Sequence, residues 1–408
     1  MSEEAKMSGK NKTGVPLAGV FVLGASILAL GNSSAALARD ASFMGLADLP
    51  GGQLNSRASA ITEDGRFIVG WSHGTGQAGG TGQRGVRWDS LTGAITGSTG
   101  WNSSGASDIS ADGLRIVGSA SPNIAYRWDF PAGNFRVGGL SLLGGAHGVS
   151  SDGNVIVGWR VPAGSSVGHV AFRWSVATGT AMELTSLTSD AIATNADGSV
   201  IVGRSVAALG DPHAVRSTTE LRLAFLGDRP GGVEFSEAVA VSRDGSIILG
   251  NGSPANAEGP NDREAVLWMG DGQMIPLGDL PGGLYGSTAY AMSDDASVVV
   301  GSSSGSIGPH SAANIAFIWD AANGMRSLKS VLEVDYGLDL TGWELTAATA
   351  VSADGSTIAG YGRFGVNTLG WVAFIPEPGT LSMLLLALPL VVSKFRRVRP
   401  ECTLGMRA

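Results

Sequence analysis

Seven times along this chain an aspartate stands at a turn between two fixed small residues. The aspartates are Asp64, Asp112, Asp152, Asp197, Asp244, Asp295 and Asp354, each followed by glycine except Asp295, which precedes Ala296. Six residues earlier every copy has an alanine (Ala58, Ala106, Ala146, Ala191, Ala238, Ala289, Ala348). Six residues later every copy has a glycine (Gly70, Gly118, Gly158, Gly203, Gly250, Gly301, Gly360). A period of about 40–50 residues confines a chain to a propeller, a solenoid or an array, because each unit buries its apolar face against the next.

Each copy reads as four short strands. Ser56-Arg57-Ala58-Ser59-Ala60-Ile61 carries small residues at alternate positions, the Asp64-Gly65 turn follows, and Phe67-Ile68-Val69-Gly70 returns. Asp-Gly between two such runs signals a hairpin, since tight hairpin turns require φ > 0. A third strand ends on an aromatic, as in Val86-Arg87-Trp88, Tyr126-Arg127-Trp128 and Phe172-Arg173-Trp174, while the fourth copy has Ser217 there. A fourth strand leads into a Gly-rich turn such as Leu277-Gly278-Asp279-Leu280-Pro281-Gly282-Gly283. Four strands repeated seven times predict an all-β, seven-bladed β-propeller. Blades converge on the axis, so the small residues belong on the innermost strand and the Trp in the wider space between blades.

The two ends of the repeat region complement each other. Residues 43–52 form a fourth-strand segment with no unit before it, and the seventh unit stops at Trp371-Val372-Ala373-Phe374 without a fourth strand. Docking one on the other closes the ring with an N-terminal strand and hides two sheet edges. An open solenoid or a pair of β-sandwiches predicts no such offset. The unit resembles the HAF-type extracellular repeat: a Leu-Gly-Asp-Leu-Pro-Gly-Gly turn, a Ser-x-Ala-x-Ala strand with its Asp-Gly turn, then a Trp strand. The resemblance implies an exported repeat protein and brings no catalytic residues.

Both flanks read as addresses. Lys6, Lys10 and Lys12 precede an apolar stretch at 15–30, and Ala36-Leu37-Ala38 is an A-x-A cleavage site, so residues 1–38 read as a signal peptide. An uncleaved N-terminal anchor is the alternative. At the other end Pro376-Glu377-Pro378 precedes an apolar run at 381–392 and a basic cluster of Lys394, Arg396, Arg397 and Arg399. The run is short for a membrane-spanning helix, which takes ~20 residues, and the positive cluster favours the cytoplasmic side. The arrangement resembles the PEP-CTERM sorting signal of Gram-negative bacteria. That resemblance implies export across the inner membrane and transient or retained membrane contact through a short apolar helix at 381–392. It also implies processing by an exosortase-type enzyme and a place at the cell surface or in the extracellular matrix. The domain plan is thus 1–38 signal peptide, 39–375 propeller and 376–408 sorting signal.

The whole chain carries a net charge of −8. Residues 1–38 contribute +1 and residues 379–408 contribute +4, which leaves −13 on the repeat region. Such acidity excludes a nucleic-acid partner, which needs a basic face. The lone cysteine, Cys402, lies in the tail, so the repeats hold no disulfide, thiol nucleophile or Cys metal site.

No reactive constellation stands out. None of His73, His147, His169, His213 and His310 pairs at the i, i+4 spacing of a helical zinc site. The Asp-Gly turns lack the ladder of acidic residues in a calcium loop, and an Asp serving its own turn accounts for them. No metal or cofactor is expected. The positions that break the repeat are His147, beside an inner alanine, and Asp108, where other copies have Ala or Gly. Trp71, Trp101, Trp159 and Trp343 fall outside the third-strand register and are the better candidates for a ligand face, although packing is the simpler reading for each. The uniform repeat predicts a non-enzymatic interaction scaffold that meets exopolysaccharide or another surface protein. The alternative is a glycan-active lyase or hydrolase. Hydrolysis requires paired carboxylates ~5–9 Å apart, drawn from Asp211, Glu234, Glu237, Glu258, Asp262, Glu333 and Asp335.

Overall fold

A computed structural model describes residues 40–376, apart from 76–80, 138–142, 165–167, 207–210, 219–222, 229–233, 256, 258–261, 271, 282–285 and 307–311. Ala36, Ala38, Glu377, Pro378, the 381–392 run and the basic tail lie outside the described residues. Among the described residues no helix is long and apolar enough to cross a membrane.

The chain forms seven four-stranded antiparallel sheets, each a blade. Blade 1 runs Ser56–Ile61, Phe67–Thr75, Thr81–Asp89 and Ile95–Ser98 in that spatial order. The innermost strands of blades 2 to 7 are Ser104–Ile109, Gly144–Val149, Ser189–Thr194, Ser236–Val241, Ser287–Met292 and Trp343–Val351. Each packs beside the innermost strand of the next blade, and blade 7 packs beside blade 1. The fourth strand of blade 7 is Ser42–Gly45, paired antiparallel with Asn367–Phe374 from the far end of the chain. The ring is therefore closed by the N-terminal strand, as the complementary ends predict. The 59-residue spacing before Asp354 is taken up by one helical turn, Leu328–Ser330, running into a π-helical turn, Val331–Asp335, between blades 6 and 7.

The structure gives each repeated residue its own reason. A Cβ built on the repeat glycine would lie 2.0–2.1 Å from an innermost-strand carbonyl oxygen in all seven blades, for example Arg57 O against Gly70 and Asp190 O against Gly203. No side chain fits there, because the two backbones are already in contact. The inner alanines are buried at 0–3% exposure for the same reason. The serine that opens the innermost strand does more than stay small. Its hydroxyl accepts a backbone N–H from the third strand of the preceding blade: Gly370 to Ser56, Gly85 to Ser104, Ala171 to Ser189, Ala214 to Ser236 and Ala265 to Ser287, at 2.9–3.2 Å. Copy three has Gly144 at this position and lacks the clamp. The third-strand Trp fills the inter-blade space, Trp88 against Ala359 and Val372 of blade 7 and Trp128 against Val69 of blade 1.

The Asp-Gly turns are longer than a two-residue hairpin. In blade 1 the Thr62 N–H bonds to Phe67 O and the Gly65 N–H bonds back to Thr62 O, so residues 63–66 form the loop. Only the glycine takes positive φ, 70–78° in the six copies that have one. The aspartate is consumed by its own turn: Asp64 Oδ1 accepts the Thr62 hydroxyl at 2.5 Å and the Arg66 N–H at 2.9 Å. The sixth copy forces Ala296 to φ 58°, a conformation that disfavours any Cβ by about 1–2 kcal/mol. Ala296→Gly is expected to stabilise the protein by about 0.5–1 kcal/mol after the greater freedom of unfolded glycine is subtracted. Denaturant unfolding of the two proteins checks this, and a loss of stability would contradict it.

Candidate functional site

Every innermost strand carries a β-bulge at the same place, on the residue after its inner alanine. Bulged residues leave the ladder and are re-aimed. Here they are Ser59, Ser107, His147, Ile192, Val239, Tyr290 and Thr349, one per blade, and all seven line a single axial cavity of about 510 Å³. The ring is not uniform. Blades 1 and 2 present the hydroxyls of Ser59 and Ser107, blade 7 contributes Thr349, whose hydroxyl donates to Ala58 O at 2.9 Å, blades 4 and 5 present Ile192 and Val239, and His147 and Tyr290 stand between the two halves.

One end of this channel is covered. At the Asp-Gly end, backbone bonds link neighbouring blades, from Ala111 N–H to Ser151 O, Ser151 N–H to Ala196 O and Asp294 N–H to Ala353 O at 2.9–3.1 Å. Arg243 of blade 5 reaches Glu63 of blade 1 at 2.7 Å and Asp294 of blade 6 at 3.0 Å. Ser151 of blade 3 also donates its hydroxyl to Glu63. Blades 1, 3 and 5 do not adjoin, so these side chains meet across the axis. The hydrogen bond that Arg243 donates to Glu63, followed by the one it donates to Asp294, holds the Arg243 proton more tightly than usual. The side chains are well solvated, so the bridge contributes little stability, about 0–1 kcal/mol.

The other end is open and unlike on its two sides. Across blades 3 to 5 runs an ionic chain: His169 Nε2 to Asp190 at 2.8 Å, Arg204 to Asp190 at 2.9 Å and to Glu237 at 3.5 Å, and Arg263 to Glu237 at 3.0 Å. Asn251 donates to Glu237 at 3.3 Å and ties it to the Ala289 backbone of blade 6. Across blades 7 and 1 the Arg57 guanidinium lies 4.4 Å from the Tyr361 ring centroid and 5.6 Å from that of Trp71.

Within the channel Asp108 joins two blades. Its Oδ1 accepts the Ile109 N–H and its Oδ2 accepts the Val149 N–H of blade 3, both at 2.8 Å. Although one side of Asp108 meets the channel, the surrounding strands desolvate it and push its carboxyl up to about 7, against the two N–H bonds. Burial also holds the His147 imidazole below its usual value, against the pull of Asp190. For Asp108 the folded value is raised, so its contribution is complete below about pH 4 and is lost as pH climbs through about 7. Between those limits wild type is expected to lose up to about 4 kcal/mol of stability relative to Asp108→Asn. Unfolding of both proteins at about pH 4 and about pH 8 checks this; a difference independent of pH would contradict it.

Of the residues singled out in the sequence, the structure brings Asp108, His147 and Glu237 to the channel. Trp71 stands at the open mouth beside Arg57, and Trp159 meets His169 edge-on at 5.4 Å. Trp101 packs edge-on against Tyr126 at 5.4 Å, and Trp343 against Phe43 at 5.2 Å. Asp211 and Glu234 are exposed outside the channel, and Asp262 does not line it. Glu333 and Asp335 pair with Lys329 and Arg326 on the helical insertion. Glu258 lies outside the described residues. No two of these seven carboxylates converge on the channel among the described residues. Among them, too, no three His, Cys, Asp or Glu side chains group as metal ligands. Sequence reasoning missed Arg57, Asp190, Arg204, Tyr290 and Tyr361. The available signal was variability between copies: the residue before the inner alanine, the bulged residue and the residue after the repeat glycine change from blade to blade.

No protein-family model and no curated protein sequence matches the chain. Solved structures resemble it in fold. An oligogalacturonate lyase from Vibrio parahaemolyticus has a TM-score of 0.52 at 11% identity, over 84% of this chain and 99% of its own. An oligogalacturonate lyase in complex with manganese scores 0.51 at 14%, over 83% and 97%. The β-propeller domain of the Trilobed protease from Pyrococcus furiosus, described as an open velcro, scores 0.52 at 10%, over 80% and 94%. The class these likenesses share with this chain is the β-propeller, and at such identities they extend to the fold alone.

Proposed function

We propose that this chain is an exported propeller, sorted to the cell surface or extracellular matrix, that acts as a non-enzymatic scaffold and holds the end of an exopolysaccharide chain in its channel. One observation carries the binding role: the channel is covered at the Asp-Gly end by the Glu63–Arg243–Asp294 bridge and open at the other. A one-ended cavity with a hydroxyl half and an apolar half suits a sugar, which has both kinds of surface. The absence of catalysis is supported by the state of the mouth carboxylates. Asp190 and Glu237 both bind Arg204, and neither is left as a lone acid beside a free base. Export and sorting rest on the terminal segments at 1–38 and 376–408, with an exosortase-type enzyme as the processing partner.

A glycan-active lyase is the second reading. Asp108, with its carboxyl near 7, and His147 line the same channel on adjacent blades, and proton exchange near neutrality is what a general acid or base supplies. Two propellers of similar fold are oligogalacturonate lyases. Co-sedimentation of the full chain with exopolysaccharide from the producing cells, with chromatography of the same mixture, separates the readings. Binding without shortened products supports the scaffold, shortened products replace it with the enzyme, and no binding contradicts both.

A further inference from the structure

Arg57 differs from the other arginines of the open mouth. Arg204 and Arg263 are committed to Asp190 and Glu237. Arg57 is exposed and, among the described residues, has no carboxylate partner. It is held by aromatic rings, with its guanidinium carbon 4.4 Å from the Tyr361 centroid and 5.6 Å from that of Trp71. Stacking fixes the plane of a guanidinium while leaving its N–H edge free. A free, oriented fork matches one class of group above others, a planar carboxylate bound by two parallel hydrogen bonds.

The surroundings narrow the rest of the ligand. Tyr361 sits within electrostatic reach of both Arg57 and Tyr290, and Tyr290 is 39% exposed and lines the cavity. A group entering at Arg57 thus meets aromatic side chains at the rim and the Ser59 hydroxyl further down, while the Thr349 hydroxyl is committed to the Ala58 carbonyl. A sugar ring offers C–H faces to the first and hydroxyls to the second. The acidity of the repeat region opposes general adsorption of polyanions, so attraction for an acidic glycan at the mouth rests on the Arg57 fork.

We infer that Arg57, Trp71, Tyr290 and Tyr361 form a binding site for a carboxylate-bearing sugar at the end of a glycan, with Arg57 taking the carboxylate. This rests on the scaffold reading for its glycan and adds the chemical class. The test is calorimetric titration of the full chain, in mild detergent, with a galacturonic acid trimer, its methyl ester and a neutral glucose trimer. Wild type is expected to bind the acid about tenfold or more tightly than the ester or the neutral trimer, because a charged hydrogen-bond pair is lost with the charge. Arg57→Ala removes the preference, and Arg57→Lys, which keeps the charge but loses the fork, restores only part of it. Equal binding of acid and ester by wild type, no binding of either, or an unchanged preference in a folded Arg57→Ala overturns the inference. The acid-to-ester comparison on wild type needs no variant, so misfolding cannot mask the result. Shortening of the acid trimer with the Arg57 preference intact would sink the scaffold and leave this site standing. Exopolysaccharide binding without any acid preference would do the reverse.

Discussion

Removal of residues 42–46 is expected to open the ring and cost the fold about 5 kcal/mol or more. The segment supplies the outermost strand of blade 7, in register from Ser42 opposite Phe374 to Gly45 opposite Trp371. Phe43 packs edge-on against Trp343 at 5.2 Å and lies 6.0 Å from Trp371, while Leu46 is buried between blades 7 and 1. The next residue also serves the closure, since Trp88 Nε1 of blade 1 donates to Ala47 O at 2.7 Å. Loss of one large buried side chain costs about 2–5 kcal/mol, and here buried Leu46 goes together with half-buried Phe43 and Met44 and a strand's hydrogen bonds. The sum is comparable to the whole stability of an ordinary domain, about 5–15 kcal/mol. The bared edge of Asn367–Phe374 would also invite pairing with other chains. Thermal unfolding with size-exclusion chromatography measures both effects. A monomer melting within a few degrees of wild type would mean that the seventh blade stands without its borrowed strand.

Gly203→Ala is expected to cost about 3 kcal/mol or more. Its Cβ would lie 2.0 Å from Asp190 O, a backbone atom that cannot swing aside. Strands Ser189–Thr194 and Val200–Val206 would have to part, and Asp190 would be carried away from Arg204, with which it pairs directly across the two strands. Gly82→Ala is the matched control on a strand of blade 1, where a Cβ meets nothing within 4 Å; its expected change is within about 0.5 kcal/mol. Denaturant unfolding of both variants decides the matter, and equal small effects would show that the repeat glycines are not held by backbone contact.

The fold was legible because the repeat constrains backbone, and backbone constraints leave uniform columns. The alanine and the glycine hold in all seven copies because neither place admits a larger side chain. The closure was legible from an unpaired fourth strand at one end and a missing one at the other. The opening serine read only as small, because a hydrogen bond to the preceding blade leaves no local pattern. The turns read as tight hairpins because Asp-Gly suits one; the Thr62 hydroxyl and Asp64 carboxylate stabilise a four-residue loop. The site was least legible. His147 and Asp108 showed as breaks in a column, but Arg57 and Tyr361 meet only through the closure of the ring, and Arg204 meets Glu237 only where two blades adjoin. Neither long-range pairing nor a bulge is written in the spacing of a single copy.

A crystal structure of the full chain with the galacturonic acid trimer bound tests the one-ended channel most directly. The predicted result is sugar density above Tyr290 with a carboxylate on the Arg57 fork, and the Glu63–Arg243–Asp294 bridge intact at the far end. Density on the Asp-Gly face, or threading the channel with that bridge broken, would contradict it.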